Sequence, residues 1–270
     1  MGGILDFLSY VGRLLLLTLG TVTLCGLAVE LCSRAFIRLS QGRSDTVFDV
    51  TAVIGTPVHE LGHAVMCLLF AHRIVKVKLW SPRARNGVYG YVEHSYNRRN
   101  PWAVLGNLLI GTGPIFSGLC VIALMLRLCF APQWAAYLAS TNALLSLTDA
   151  SVGTWLGGIF SLLLSLPAAI VENPLSSIPG LIVMLSVSLH VSLSWQDIRS
   201  ALSAIPLYAL TVLLFGGITY LAGVSGSITF GLSLFHLRLL SLFGLVIAFS
   251  LLWVILALLV RAIRVVIGWF

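Results

Sequence analysis

The chain has 270 residues, of which 59% are hydrophobic and only 9% charged, with a formal net charge of +7. Globular domains carry roughly a quarter charged residues, so no water-soluble core of this length hides so much apolar surface, and lipid must be the solvent for most of it. The basic residues lie beside apolar runs, the pattern of positive-inside topology; no nucleic-acid partner is expected.

Backbone groups facing lipid must pair within their own segment. The expected fold class is therefore all-α, a polytopic membrane helical bundle forming one integral membrane domain over 1–270. Apolar segments of the length that spans a bilayer fall at about 12–31, 50–71, 102–130, 152–171, 178–197, 204–223 and 235–260. The N-terminal run carries Asp6, is over-long and lacks an A-x-A site, so it reads as a retained first span and not a signal peptide. The stretch 134–150 fits a short span, a re-entrant piece or an interfacial helix, which leaves six to eight crossings.

The sizeable polar insert, 72–101, holds seven of the sixteen Lys and Arg residues. Its "IVKVKLW" alternates apolar and basic residues, and its "GVYGYVEHSY" is rich in Val and Tyr. Between them stands the Asn86–Gly87 turn pair, so 73–96 reads as a small β-hairpin on the membrane surface. Its charge places it on the cytoplasmic side. Arg261 and Arg264, just past the last span, place the C-terminus there too, and both termini are expected inside. Arg34, Arg38 and Arg43 then fall outside, against the rule.

Within the second apolar segment stands "TPVHELGHAV", 56–65. A polar side chain inside a membrane span costs a few kcal/mol, so two histidines and a glutamate there need a reason. His59, Glu60 and His63 form H-E-x-x-H. Residues four apart share a helix face, so both imidazoles can bind one Zn²⁺, with Glu60 towards the metal-bound water. Zinc lowers the pKa of that water and polarises a carbonyl. Glu60 takes the proton as general base and passes it to the leaving amine. From this composition the motif arises by chance roughly two times in a thousand. A polar cluster that glues helices together or lines a transport path is the bland alternative.

"HELGHAV" on a membrane helix resembles the site-2 proteases, the zinc intramembrane metalloproteases, over about residues 50–200. "IGTGPIFSG", 110–118, looks like the family's G-P-x-x-N stretch: Gly113 and Pro114 match, and Ser117 replaces the Asn. The hairpin is similar to the β-structure that follows the zinc helix there. The resemblance implies a metalloprotease core over 50–200, with 1–49 a first span and loop and 201–270 further spans. It implies one Zn²⁺ per chain and a membrane-anchored protein substrate cleaved within the lipid bilayer. It also implies a third ligand, an aspartate from a later helix. Asp197 in "LHVSLSWQDIRSAL" takes that place, without the family's flanking Asn, Pro and Gly. His190 is the alternative third ligand, since seven residues are two helical turns and would put it on one face with Asp197. Asp197 is expected near the end of its segment.

The other histidines read blandly: His72 and His94 as solvated ends of the basic loop, His236 as an interfacial anchor. The five cysteines (25, 32, 67, 120 and 129), with no C-x-x-C, read as small core residues and not as disulfides or ligands. Two other functions stay open, a non-catalytic protease relative and a metal-handling membrane transporter. No N-glycosylation acceptor occurs, which fits a prokaryotic plasma membrane.

Overall fold

A computed structural model describes residues 2–40, 44–82, 88–146 and 152–267. The chain is an all-α bundle with one two-stranded sheet. Helix α1 (Gly2–Leu15) runs through a π-helical turn, Leu16–Gly20, into α2 (Thr21–Leu39). There follow α3 (Ser44–Leu69), strands β1 (Arg73–Lys78) and β2 (Tyr91–Ser95), α4 (Pro101–Cys129), α5 (Ala131–Ser146), α6 (Val152–Glu172), α7 (Pro174–His190), α8 (Trp195–Leu221) and α9 (Ser225–Ile267). Among the described residues, six stretches are long and apolar enough to cross a bilayer: 3–39, 46–69, 101–129, 153–172, 195–221 and 225–266. The protein is an integral membrane protein. Side chains such as Leu68, Leu175, Leu221 and Val266 stand exposed on the outside of the bundle, as lipid-facing residues do.

The interior is apolar side chains from α2, α4, α7 and α9, among them Val29, Ile122, Leu126, Met184, Val187, Phe243 and Phe249. Against this block stands α3, packed against α4 and α7, while α8 packs along α4. The metal-motif helix is therefore held on two sides.

Segment 134–150 corresponds largely to α5, a 16-residue helix, shorter than the ~20 residues a span needs. It packs against α6 and is anchored by the Tyr137 hydroxyl, which donates to the Ser241 carbonyl at 2.8 Å. Residues 147–151 lie outside the described residues.

The expected segment 178–197 is not one helix. It breaks after His190, and Asp197 opens the next helix instead of closing its own. The cause is local. Ser194 and Asp197 form a capping box: Ser194 Oγ accepts from the Asp197 N–H at 3.2 Å, and Asp197 Oδ2 accepts from the Ser194 N–H at 2.8 Å. That S-x-x-D signature starts a helix at Trp195. The face shared by His190 and Asp197 on a continuous helix does not exist.

The hairpin forms over the expected stretch. β1 and β2 pair antiparallel, Ile74 opposite His94 and Lys76 opposite Glu93, with an irregularity between Ile74 and Lys76. The Asn86–Gly87 turn lies outside the described residues. The segment just before β2 is tied down: the Tyr89 hydroxyl donates to Asp49 Oδ1 at 2.8 Å, fastening the hairpin's second half back to the first turns of α3.

Candidate metal centre

His59, Glu60 and His63 lie on consecutive turns of α3, where α3 meets α4 most closely. The contact is glycine on glycine. A Cβ on Gly62 would come within 2.6 Å of the Gly113 carbonyl oxygen, and a Cβ on Gly113 within 2.6 Å of the Gly62 oxygen. Two backbones in van der Waals contact bring the next residue, His63, within reach of the α4 main chain. Ser117 fixes the same crossing, its hydroxyl shared between the carbonyls of Val58 at 2.8 Å and Pro114 at 3.0 Å.

Pro114 has a specific consequence. It has no N–H, so the carbonyl four residues back, Ile110, lacks its helical partner. His63 Nδ1 donates to that carbonyl at 2.8 Å. The other histidine is held in the same way. His59 Nδ1 donates to the His190 carbonyl at 2.6 Å, a group orphaned because α7 ends there. Each acceptor is a carbonyl that helix geometry would otherwise have occupied.

These bonds fix the rings. A carbonyl only accepts, so each Nδ1 carries the proton and each Nε2 of the neutral ring presents a lone pair. The two Nε2 atoms face each other at 3.2 Å. The Asp197 carboxylate completes the group, Oδ1 3.2 Å from His63 Nε2 and Oδ2 3.9 Å from His59 Nε2. Three electron-pair donors thus converge, and each is drawn to a cation between them. Ligand atoms on a tetrahedral Zn²⁺ at 2.0–2.1 Å lie about 3.3 Å apart, close to the separations here. An imidazole whose second nitrogen donates to a carbonyl is also the usual outer arrangement of a metal-bound histidine. His59, His63 and Asp197 form a group able to hold a metal ion.

Of the two third-ligand candidates, only Asp197 brings its side chain to the pair. His190 contributes its backbone. Its imidazole turns away, with Nε2 3.0 Å from the Thr51 hydroxyl and the ring packed edge-on to Phe48. Asp197 sits in the first turn of α8, where the helix dipole favours a carboxylate. Gly111 makes room for it: a Cβ there would meet the Asp197 carbonyl.

The group opens on a cavity of about 560 Å³ lined by His59, Glu60, His63 and Asp197, by Thr56 and Ser192, and by Val88–Val92 and His94 of the hairpin. Glu60 is 6% exposed and faces this space. Gly90 lies against it: a Cβ on Gly90 would approach Glu60 Cγ and Thr56 Cγ2 to 2.8 Å. The hairpin therefore roofs the glutamate. Thr56, one turn before Glu60, is buried at 5% exposure, and its hydroxyl oxygen has no hydrogen-bond partner. His94, expected to be solvated, is half-buried at the rim. Burial first, then the nearby His72 and His63, hold its imidazole below the ordinary range.

The Ile110 and His190 carbonyls and the Thr56 hydroxyl are not found by reading the H-E-x-x-H motif. Pro114, four residues after Ile110, is the sequence signal for the first, and the S-x-x-D box at 194–197 for the second. Thr56 has no such signal. No family model matches this chain, and no curated protein or solved structure matches it.

Proposed function

We propose that this chain is an intramembrane zinc metalloendopeptidase of the site-2 protease type, hydrolysing a peptide bond of a membrane-anchored protein. The observation that carries the reading is the convergence of His59 Nε2, His63 Nε2 and an Asp197 carboxylate oxygen, each imidazole held by a backbone carbonyl, next to a buried glutamate in a cavity.

His59, His63 and Asp197 are the residues that would hold one Zn²⁺ here, and two imidazoles with one carboxylate suit it. When bound, zinc supplies Lewis-acid polarisation of a carbonyl and acidifies a water. Glu60 acts as general base: it takes a proton from the attacking water and returns it to the leaving nitrogen as the C–N bond breaks. The unpartnered Thr56 hydroxyl donates to the substrate carbonyl oxygen as negative charge builds there. The hairpin segment 88–92 covers Glu60 and limits how much water shares the cavity. A substrate helix hides its carbonyls in its own i→i−4 bonds, so it must be extended before attack. The hairpin offers strand edges for an extended peptide.

The basic hairpin and Arg261 and Arg264 past the last span support a cytoplasmic side for the hairpin and both termini, in a membrane we take to be prokaryotic. The test is metal content and cleavage together, measured on purified protein and a membrane-anchored substrate. Wild type carries zinc and cleaves; Glu60→Gln carries zinc and does not. Wild type with this site filled and no cleavage of any membrane-anchored substrate would favour a non-catalytic relative.

A further inference from the structure

A second group of ligating side chains lies one helical turn beyond the first. Cys67 follows His63 by four residues and shares its helix face. One ligand atom each from Cys67, His72 and His94 lie within 4.8 Å of one another.

The end of α3 builds this group. The His72 N–H returns to the Cys67 carbonyl at 2.8 Å, and Ala71 between them has φ 55°. This is a Schellman ending, with Cys67 at C3, Ala71 in the left-handed position and His72 at C″. In such endings the C3 and C″ side chains meet, commonly as an apolar contact. Here a thiol and an imidazole meet instead, on a left-handed residue that is not glycine.

The imidazoles are placed with the same economy as in the first centre. His72 Nε2 donates to the Ala103 carbonyl at 2.8 Å, so its Nδ1 presents a lone pair. That Nδ1 faces His94 Nδ1 at 2.9 Å. His94 is delivered by β2, opposite Ile74, and Tyr96 stacks on the His72 ring with centroids 4.6 Å apart. Cys67 is fully buried, as the sequence suggested for a core cysteine, whereas His72, at 4% exposure, is not the solvated loop residue expected. For one tetrahedral ion to bind all three, the His72–His94 pair opens from its 2.9 Å contact and the Cys67 sulfur, with its partners within 4.8 Å, closes on the same point.

We propose that Cys67, His72 and His94 form a second metal site, for a thiophilic ion of the Zn²⁺ class, which clamps the β-hairpin to the end of α3. One thiolate with two imidazoles selects against Mg²⁺ and Ca²⁺. The site shares no ligand with His59, His63 and Asp197 and stands whether or not the chain is a protease.

Cobalt(II) tests it, because only this site offers sulfur. Metal-stripped full-length protein in detergent is titrated with Co²⁺. Wild type and His63→Ala should both develop a near-ultraviolet thiolate-to-cobalt charge-transfer band, which in His63→Ala, where the first centre no longer competes, saturates at one equivalent. The band should be absent in Cys67→Ser, and its midpoint should move at least tenfold higher in His94→Ala, which alters only a half-buried hairpin position. No thiolate band in saturated wild type overturns the proposal, as does a band unchanged in Cys67→Ser or in His94→Ala. Failure of the protease reading is distinct: it would show as absent cleavage with the band intact.

Discussion

His59 and His63 face each other through their Nε2 atoms at 3.2 Å, while each ring's other nitrogen is bonded to a main-chain carbonyl of a different helix. Both rings therefore offer lone pairs towards the same point. A cation held between them would stabilise this arrangement inside an apolar bundle. His63→Ala and Asp197→Ala should each lose one metal equivalent. His190→Ala should keep it, because the ring contributes no ligand. Glu60→Gln should keep it too and lower cleavage by about 10²–10⁴-fold, the range of a positioned general base. Metal per chain and cleavage rate, measured on the same preparations, check all four.

Pro114→Ala restores an N–H four residues after Ile110. The Ile110 carbonyl then has a helical partner competing with His63 Nδ1. Metal affinity should fall by about 10–100-fold, the usual cost of losing an outer-shell partner, while thermal stability stays level or rises. An unchanged zinc dissociation constant would show that His63 needs no such acceptor.

Gly62→Ala puts a Cβ about 2.6 Å from the Gly113 carbonyl oxygen and from the Ser117 hydroxyl. Backbone cannot yield as a flexible side chain does, so α3 and α4 must separate. The expected loss is about 1–3 kcal/mol, typical of overpacking, with metal affinity falling alongside. A denaturant or thermal unfolding curve in detergent reads the first, and a metal titration the second.

Gly90→Ala presses on Glu60 Cγ and Thr56 Cγ2 from the hairpin. It leaves His59, His63 and Asp197 untouched. Cleavage should drop about tenfold or more, the scale that misplacing groups near the chemistry produces, with the His59–His63–Asp197 metal equivalent intact. Equal loss of metal and activity would mean that the hairpin supports the ligands rather than Glu60.

Thr56→Val removes a buried hydroxyl that has no partner in the resting protein, so stability should not fall. If that hydroxyl serves the developing oxyanion, kcat should drop with little change in KM, by up to about 10²–10³-fold, as for other donors of this kind. A valine variant as active as wild type would leave the hydroxyl without a role in turnover.

Much of this was legible in the sequence because membrane physics leaves few choices. Composition alone dictates helices, and H-E-x-x-H places two histidines on one face. The alternating "IVKVKLW" and the Val- and Tyr-rich "GVYGYVEHSY" give the hairpin. What escaped was set by helix ends. The apolar run 178–197 looks continuous to a hydropathy window, because Ser192 and Ser194 interrupt it too briefly to register. The Ser194–Asp197 capping box outweighs that continuity and splits the run, which moves Asp197 from the end of one helix to the start of another. His72 was misread for a related reason. It follows the apolar run and precedes the basic strand, yet the left-handed turn at Ala71 folds it back under α3. Charge and composition describe segments, while these positions depend on single residues that start and stop helices.

The two acceptors that aim the histidines, at Ile110 and His190, belong to the peptide backbone. No side-chain deletion at either position removes them. Alanine at Ile110 or His190 leaves both carbonyls in place, although the direction in which each imidazole offers its lone pair depends on them. Vulnerability is displaced to residues that govern where helical hydrogen bonding stops, Pro114 in α4 and the 191–194 break before α8. An amide-to-ester replacement across those bonds, or a shift of the break by one residue, would disturb the centre through positions that look inert to conventional mutagenesis.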